Sequence, residues 1–160
     1  MSNTKAFLNI FAAVGFVAVT TGPSLAFDDG DPVKGESIFK KCSACHMVGP
    51  EAKNRVGPVL TGVFGRSAGV VEDYKYGKDI IAAGEAGLVW TEEELFEYLS
   101  DPKKYLRAKL DNKKAKSKMS FKLRKEEERK HVIAYLKTFS PEAEGEAEDA
   151  AAEEEAATTN

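Results

Sequence analysis

Side chains that bind metals or form crosslinks are scarce in this chain: two cysteines, two histidines and three methionines among 160 residues. The cysteines, Cys42 and Cys45, lie three apart and could close only one trivial loop, so no disulfide framework supports the fold. A structural zinc site needs four ligands. Beyond Cys42, Cys45 and the adjacent His46, the chain offers only His131, far away in sequence. Strand-like alternation of apolar and polar residues is missing throughout, which argues against a sheet protein and against the βαβ setting of a thioredoxin-like redox pair. The apolar stretch 6–19 is fourteen residues long, short of the roughly 20 that span a membrane.

Each end of the chain lacks charge of one sign. Residues 1–26 hold no acid and a single base, Lys5, and end in Ser24-Leu25-Ala26 after a break at Thr20-Thr21-Gly22-Pro23. That pattern is a secretory signal peptide cleaved after Ala26, with an uncleaved anchor as the alternative, and it implies a protein that works outside the cytoplasm without stable membrane insertion. Residues 140–160 hold eight acids and no base, an acidic tail expected to be disordered. The overall charge of −3 therefore conceals a body, residues 27–139, of +4, because the leader removes one positive charge and the tail eight negative ones. Between Lys103 and Lys125 stand eleven Lys or Arg against one acid, Asp111. Nucleic acid is a poor partner for an exported chain, and this basic region is expected to dock on acidic protein surfaces.

The body reads as all-α. Asp31-Pro32 opens a first helix expected to run into the Cys42 motif and stop at Gly49-Pro50. Residues 50–71 read as loop, punctuated by glycine and Pro58. A short helix is expected at 79–83, interrupted by Gly84 and Gly87. Thr91-Glu92-Glu93-Glu94 is a capping box for a helix that buries Leu95, Tyr98 and Leu99 and ends before Pro102. Arg107 to Lys122 reads as irregular, and a last helix covers 125–139 with Val132, Tyr135, Leu136 and Phe139 on one face. Three or four short helices with long loops bury little apolar surface to offset chain entropy. A large apolar group is expected at the centre.

Cys42-Ser43-Ala44-Cys45-His46 supplies that group. Cys-x-x-Cys-His is the attachment signature of c-type haem. Two cysteines on one side of a turn can each bond a vinyl group, and the next residue can place an imidazole on the iron. The opposite axial position of a low-spin carrier takes Met or His. His131 adjoins the packed face of the last helix, Met1 leaves with the leader, and Met47 is tied too closely to His46 to reach the far side. Elimination leaves Met119, in a loop able to wrap the ring.

The chain resembles class I cytochrome c, in particular the soluble periplasmic alphaproteobacterial proteins close to mitochondrial cytochrome c. The resemblance rests on "GDPVKGESIFKKCSACH", "VGPVLTGVFGR", "YKYG", "VWTEEELFEYLSDPKKYL", "KSKMSF" and "VIAYLK", spread over most of residues 30–139. It implies three to five helices around one covalently attached haem. It also implies that the Pro58 carbonyl holds His46, that Arg66, Tyr76 and Trp90 face a haem propionate, and that Tyr98 and Ser117 lie beside the Met119 sulfur. Gly35, Phe39, Val132 and Tyr135 would form the crossing of first and last helices, and Phe121 would shield the haem edge. The implied function is a monomeric one-electron carrier, not an enzyme, between the cytochrome bc1 complex and cytochrome c oxidase or a photosynthetic reaction centre. An open-site peroxidase or gas binder, or a redox sensor, is the rival reading. The loop "LRAKLDNKKAKSKM" departs from the mitochondrial form: it is longer, richer in lysine and without the Pro-Gly pair.

Overall fold

In the computed structural model, which describes residues 30–140, Asp31 starts the first helix by accepting hydrogen bonds on Oδ1 from the amides of Val33 (2.9 Å) and Lys34 (3.1 Å). With Pro32 at the first helical position, where no amide is needed, α1 spans Pro32–Phe39. It stops earlier than expected. The Cys42 motif lies in a run of turns beyond the helix, held by Cys42 N to Phe39 O (2.7 Å) and His46 N to Cys42 O (2.9 Å). The leader, and all of the acidic tail but Ser140, lie outside the described residues.

Four more helices follow: α2 (Lys78–Glu85), α3 (Glu92–Ser100), α4 (Pro102–Lys109) and α5 (Glu126–Lys137). Gly84 does not interrupt α2 but sits inside it. A Cβ there would lie 2.0 Å from the Ala68 carbonyl oxygen, so glycine lets α2 rest on the preceding loop. Beyond these helices, the described residues contain only an isolated antiparallel bridge between Ser67 and Val89.

Helix α4 falls partly in the stretch read as irregular. Its start carries the same signal as α1: Asp101 Oδ1 accepts from Lys104 N (3.0 Å), and Pro102 takes the first turn. The capping box of α3 is half formed for a related reason. Thr91 Oγ1 accepts from Glu94 N (3.2 Å), but the Glu94 carboxylate turns away to accept from the Tyr105 hydroxyl and the Lys109 ammonium, both on α4. The two helices are thereby joined. Burial opposes charge on Glu94, but the hydrogen bonds from Lys109 and Tyr105 outweigh it and hold the carboxyl below its ordinary range.

Helices α1 and α5 cross in direct contact, and glycine makes the crossing possible. A Cβ on Gly35 would sit 2.0 Å from the His131 carbonyl oxygen and 2.7 Å from the Tyr135 Cβ. Phe39 and Tyr135 complete the contact with ring centroids 5.4 Å apart, and Val132, Ile133 and Leu136 are buried beneath. His131 contributes through its ring: Nδ1 accepts from the Asp31 amide at 2.9 Å, tying α5 to the start of α1.

Two outcomes are expected. Gly35→Ala should cost about 3 kcal/mol or more, because the clash is with backbone and cannot be relieved by a side-chain rotation. The reading is the urea midpoint of the mature protein, and an unchanged midpoint would show that the helices part freely. The Glu94 carboxyl is depressed in the folded state, so its contribution is present above the ordinary carboxylate range and is lost as pH falls. Stability should thus decline less steeply with acid in Glu94→Gln than in the parent, as read by thermal melts from neutral pH downward.

Candidate functional site

Between these helices and the loops 46–66 and 74–77 lies a cavity of about 280 Å³. Phe39, Leu60, Leu99, Val132 and Leu136 give it apolar walls. The site residues picked out from sequence, from Cys42 in the first turn to Met119 in the last loop, all line it: Cys42, Cys45, His46, Pro58, Arg66, Tyr76, Trp90, Tyr98, Ser117 and Met119. They come from elements up to 77 positions apart in the chain.

The cysteine turn forms one corner. Cys45 N and His46 N both donate to Cys42 O at 2.9 Å, which winds the motif into a single tight turn. Both thiols are free and partly buried. Burial pushes the Cys42 thiol up to about 11, against the opposing charge of Lys41.

His46 forms the adjoining wall. Its Nδ1 is 2.8 Å from the Pro58 carbonyl oxygen. A carbonyl can only accept, so Nδ1 carries the proton and Nε2 keeps its lone pair for a ligand. Burial lowers the pKa of the ring, and the Pro58 bond only partly offsets this. The ring is held neutral. Gly57 makes its position possible: a Cβ there would lie 2.3 Å from His46 Cε1 and 2.7 Å from both ring nitrogens. In the sequence Gly57 reads only as loop punctuation, yet it is the residue against which the imidazole is laid.

Met119 stands in the last loop, partly buried against the core. Ser117 Oγ accepts from Met119 N at 3.1 Å and lies 3.3 Å from the Tyr98 hydroxyl, so α3 and the loop meet beside the methionine. Burial raises the pKa of Tyr98, and the hydroxyl stays neutral. Trp90 is buried with its ring centroid 5.0 Å from that of Tyr98, edge to face. Phe121 borders the cavity and is 38% exposed, at the rim where a shield would stand.

Arg66 is engaged with the protein's own backbone. Nη1 donates to Thr61 O and Nη2 to Val59 O, each at 3.0 Å. It braces the loop that carries Pro58 while lining the cavity. Burial lowers its pKa, with Tyr76 acting in the opposite sense. Tyr76 lies in the cavity wall with its ring 4.7 Å from Tyr74, whose hydroxyl donates to Val56 O at 2.8 Å.

These residues fit an iron porphyrin. The donor set is an imidazole with a free Nε2 and a thioether, two unpaired thiols adjoin the imidazole, and the remaining wall is chiefly apolar and aromatic. A group that fills this space would gain apolar contact along Phe39, Leu60, Leu99, Val132 and Leu136.

Comparison with known proteins points the same way. Residues 32–140 match the family model described as cytochrome c. Cytochrome c2 iso-1 of Rhodospirillum centenum is 58% identical over 118 residues, 70% of this chain and 98% of that protein. Cytochrome c-550 of Paracoccus denitrificans is 41% identical over 152 residues, 90% of this chain and 96% of that one. The solved structure of cytochrome c2 from Rhodospirillum centenum superposes with a TM-score of 0.68 at 55% identity, covering 70% of this chain and 100% of its own.

Gly57→Ala should drive a methyl group into the His46 ring and break its bond to Pro58. The expected loss is about 2–4 kcal/mol of stability in the mature protein, read by urea denaturation. Parent-like stability would mean that the ring has room to move.

Proposed function

The chain belongs to the cytochrome c family, and from that premise we propose that it is a periplasmic carrier shuttling single electrons from a cytochrome bc1 complex to a terminal oxidase or a photosynthetic reaction centre. It is an electron carrier with one covalently bound haem c, not an enzyme. We assign Cys42 and Cys45 as the thioether anchors and His46 and Met119 as the axial ligands. Residues 1–26 are the export leader, 27–139 the haem domain and 140–160 an acidic extension.

The observation that carries the ligand assignment is the His46–Pro58 bond, which leaves Nε2 as the ligand nitrogen. When bound, haem c supplies a one-electron Fe(III)/Fe(II) couple, whose potential a thioether ligand raises. The protein's part is to hold still. Pro58 and Gly57 fix the imidazole, and Ser117 fixes the backbone amide of Met119. With both His46 and Met119 holding the iron, haem would keep no coordination position for a substrate. That separates a carrier from an open-site peroxidase or gas binder.

Docking falls to the basic region between Lys103 and Lys125. All eleven of its cationic side chains are exposed. Lys116 and Lys118 also border the cavity, so the positive surface adjoins the proposed redox centre. Charge of this kind accelerates encounter with an acidic surface and is screened within about 8–10 Å at ordinary salt.

Met119→Ala in the mature ferric protein should abolish the near-infrared thioether–iron charge-transfer band and open the site to exogenous ligands. Retention of the band would remove Met119 from the assignment. Electron transfer from a purified bc1 complex should slow as salt rises, and Lys113→Glu with Lys114→Glu should slow it several-fold at low salt. A salt-independent rate would reject docking through this face.

A further inference from the structure

The loop that ends on Met119 is long, rich in like charges and without the Pro-Gly pair that would stiffen it. It folds on itself as far as Ala115, whose amide donates to Asn112 O at 3.0 Å, and beyond that point the Lys116 amide is held from outside. We propose that Asp79 and Arg107 act as positioning residues that clamp the Ala115–Lys116 peptide and thereby hold Met119 at the cavity. The inference rests on the assignment of Met119 as a ligand.

The geometry is specific to one peptide plane. Arg107 Nε, on α4, donates to the Ala115 carbonyl at 3.2 Å. Asp79 Oδ2, on α2, accepts from the Lys116 amide at 3.0 Å. That carbonyl and that amide belong to the same planar unit, so it is gripped from both edges by side chains of opposite charge. Ala115 is fully buried, and Asp79 is only 8% exposed. A carboxylate buried to that degree accepts a charge-assisted bond of the stronger kind, and removing it takes this partner from the Lys116 amide. Asp79 also stands in the first turn of α2, where the helix dipole favours its negative charge.

The other side of the loop is already secured. Leu123 N donates to Leu99 O at 2.8 Å. The Arg129 guanidinium, 5% exposed and 4.1 Å from the Phe96 ring centroid, donates from Nη1 to Leu123 O (3.1 Å) and Arg124 O (2.8 Å). Between these fixed points only residues 117–122 span the mouth of the cavity, and Ser117 ties the Met119 amide within them. Without the upstream clamp the free span would reach back to the turn in which Ala115 N donates to Asn112 O at 3.0 Å.

The test uses ferric, haem-loaded protein and imidazole, which must displace Met119 to bind iron. Asp79→Ala and the milder Arg107→Gln should each tighten imidazole binding by about five- to tenfold and reduce the hydrogen-exchange protection of the Lys116 amide by at least as much. The double variant should show less than the sum of the two. Asp79→Asn, which keeps an acceptor oxygen, should restore most of the protection. Lys113→Ala, which removes a loop charge but touches neither clamp residue, should leave both readings unchanged. Imidazole affinity and Lys116 protection within twofold of the parent in folded Asp79→Ala and Arg107→Gln would overturn the clamp alone. A parent protein without the thioether–iron band would overturn the ligand assignment, and this inference with it.

Discussion

The constraint from which the rest follows is that this domain is built around a cavity. Phe39, Leu99, Val132 and Leu136 belong to one buried core cluster and also border a common space of about 280 Å³. Direct helix-to-helix contact is greatest where α1 crosses α5, and smaller contacts join α3 to α5, α3 to α4 and α2 to α4. A group held by covalent bonds suits such an architecture. A ligand that could leave would take with it the apolar contacts of the side chains that line this space.

Rigidity at the site has a traceable origin. Gly35 lets α1 lie against the α5 backbone, α1 delivers Phe39, and the turn from Phe39 O through Cys42 O sets the direction of both thiols and of His46. The loop 57–66 then closes on the imidazole through Gly57 and Pro58, with Arg66 bracing that loop by its carbonyls. Each step is a short-range backbone contact that small side chains permit. A one-electron carrier benefits from this, because a ligand that need not move between oxidation states adds little reorganisation to the transfer.

Much of this was legible in the sequence because the signals were local. Asp-Pro at α1, Thr91 before α3 and the apolar spacing of α5 all act within a few residues, and so does the Cys42–His46 motif. What escaped reading acts at long range or between like signals. Helix α4 opens with the Asp-Pro pair that opens α1, but the charges of Lys103, Lys104, Arg107 and Lys109 hid its apolar side, Leu106 and Tyr105. Glu94 reads as the partner of its own helix cap and turns out to serve α4. Gly57 and Asp79 are invisible for a different cause: their partners are eleven and thirty-seven residues away, and neither belongs to a pattern of spacing. Arg66, read as facing a propionate, also has a local task that only coordinates reveal.

The Met119 loop joins two demands that pull in opposite directions. Docking on acidic partners calls for many exposed lysines, and lysines crowded into one loop repel each other and favour an open, mobile chain. Ligation calls for a sulfur held in one place. The structure divides these tasks by atom type. Lys113, Lys114 and Lys116 are exposed, whereas the backbone beneath them is fixed by groups from elsewhere: Asp79 on the Lys116 amide and Arg107 on the Ala115 carbonyl. Lys118 is the exception, its ammonium donating to Lys75 O and lying 5.9 Å from the Tyr74 ring while its stem packs on Gly77. A loop anchored through its main chain can vary its side-chain charge with little effect on the ligand, so partner preference and iron coordination can be adjusted separately. In a loop stiffened by its own proline and glycine the anchor and the variable surface share the same residues, and that freedom is smaller.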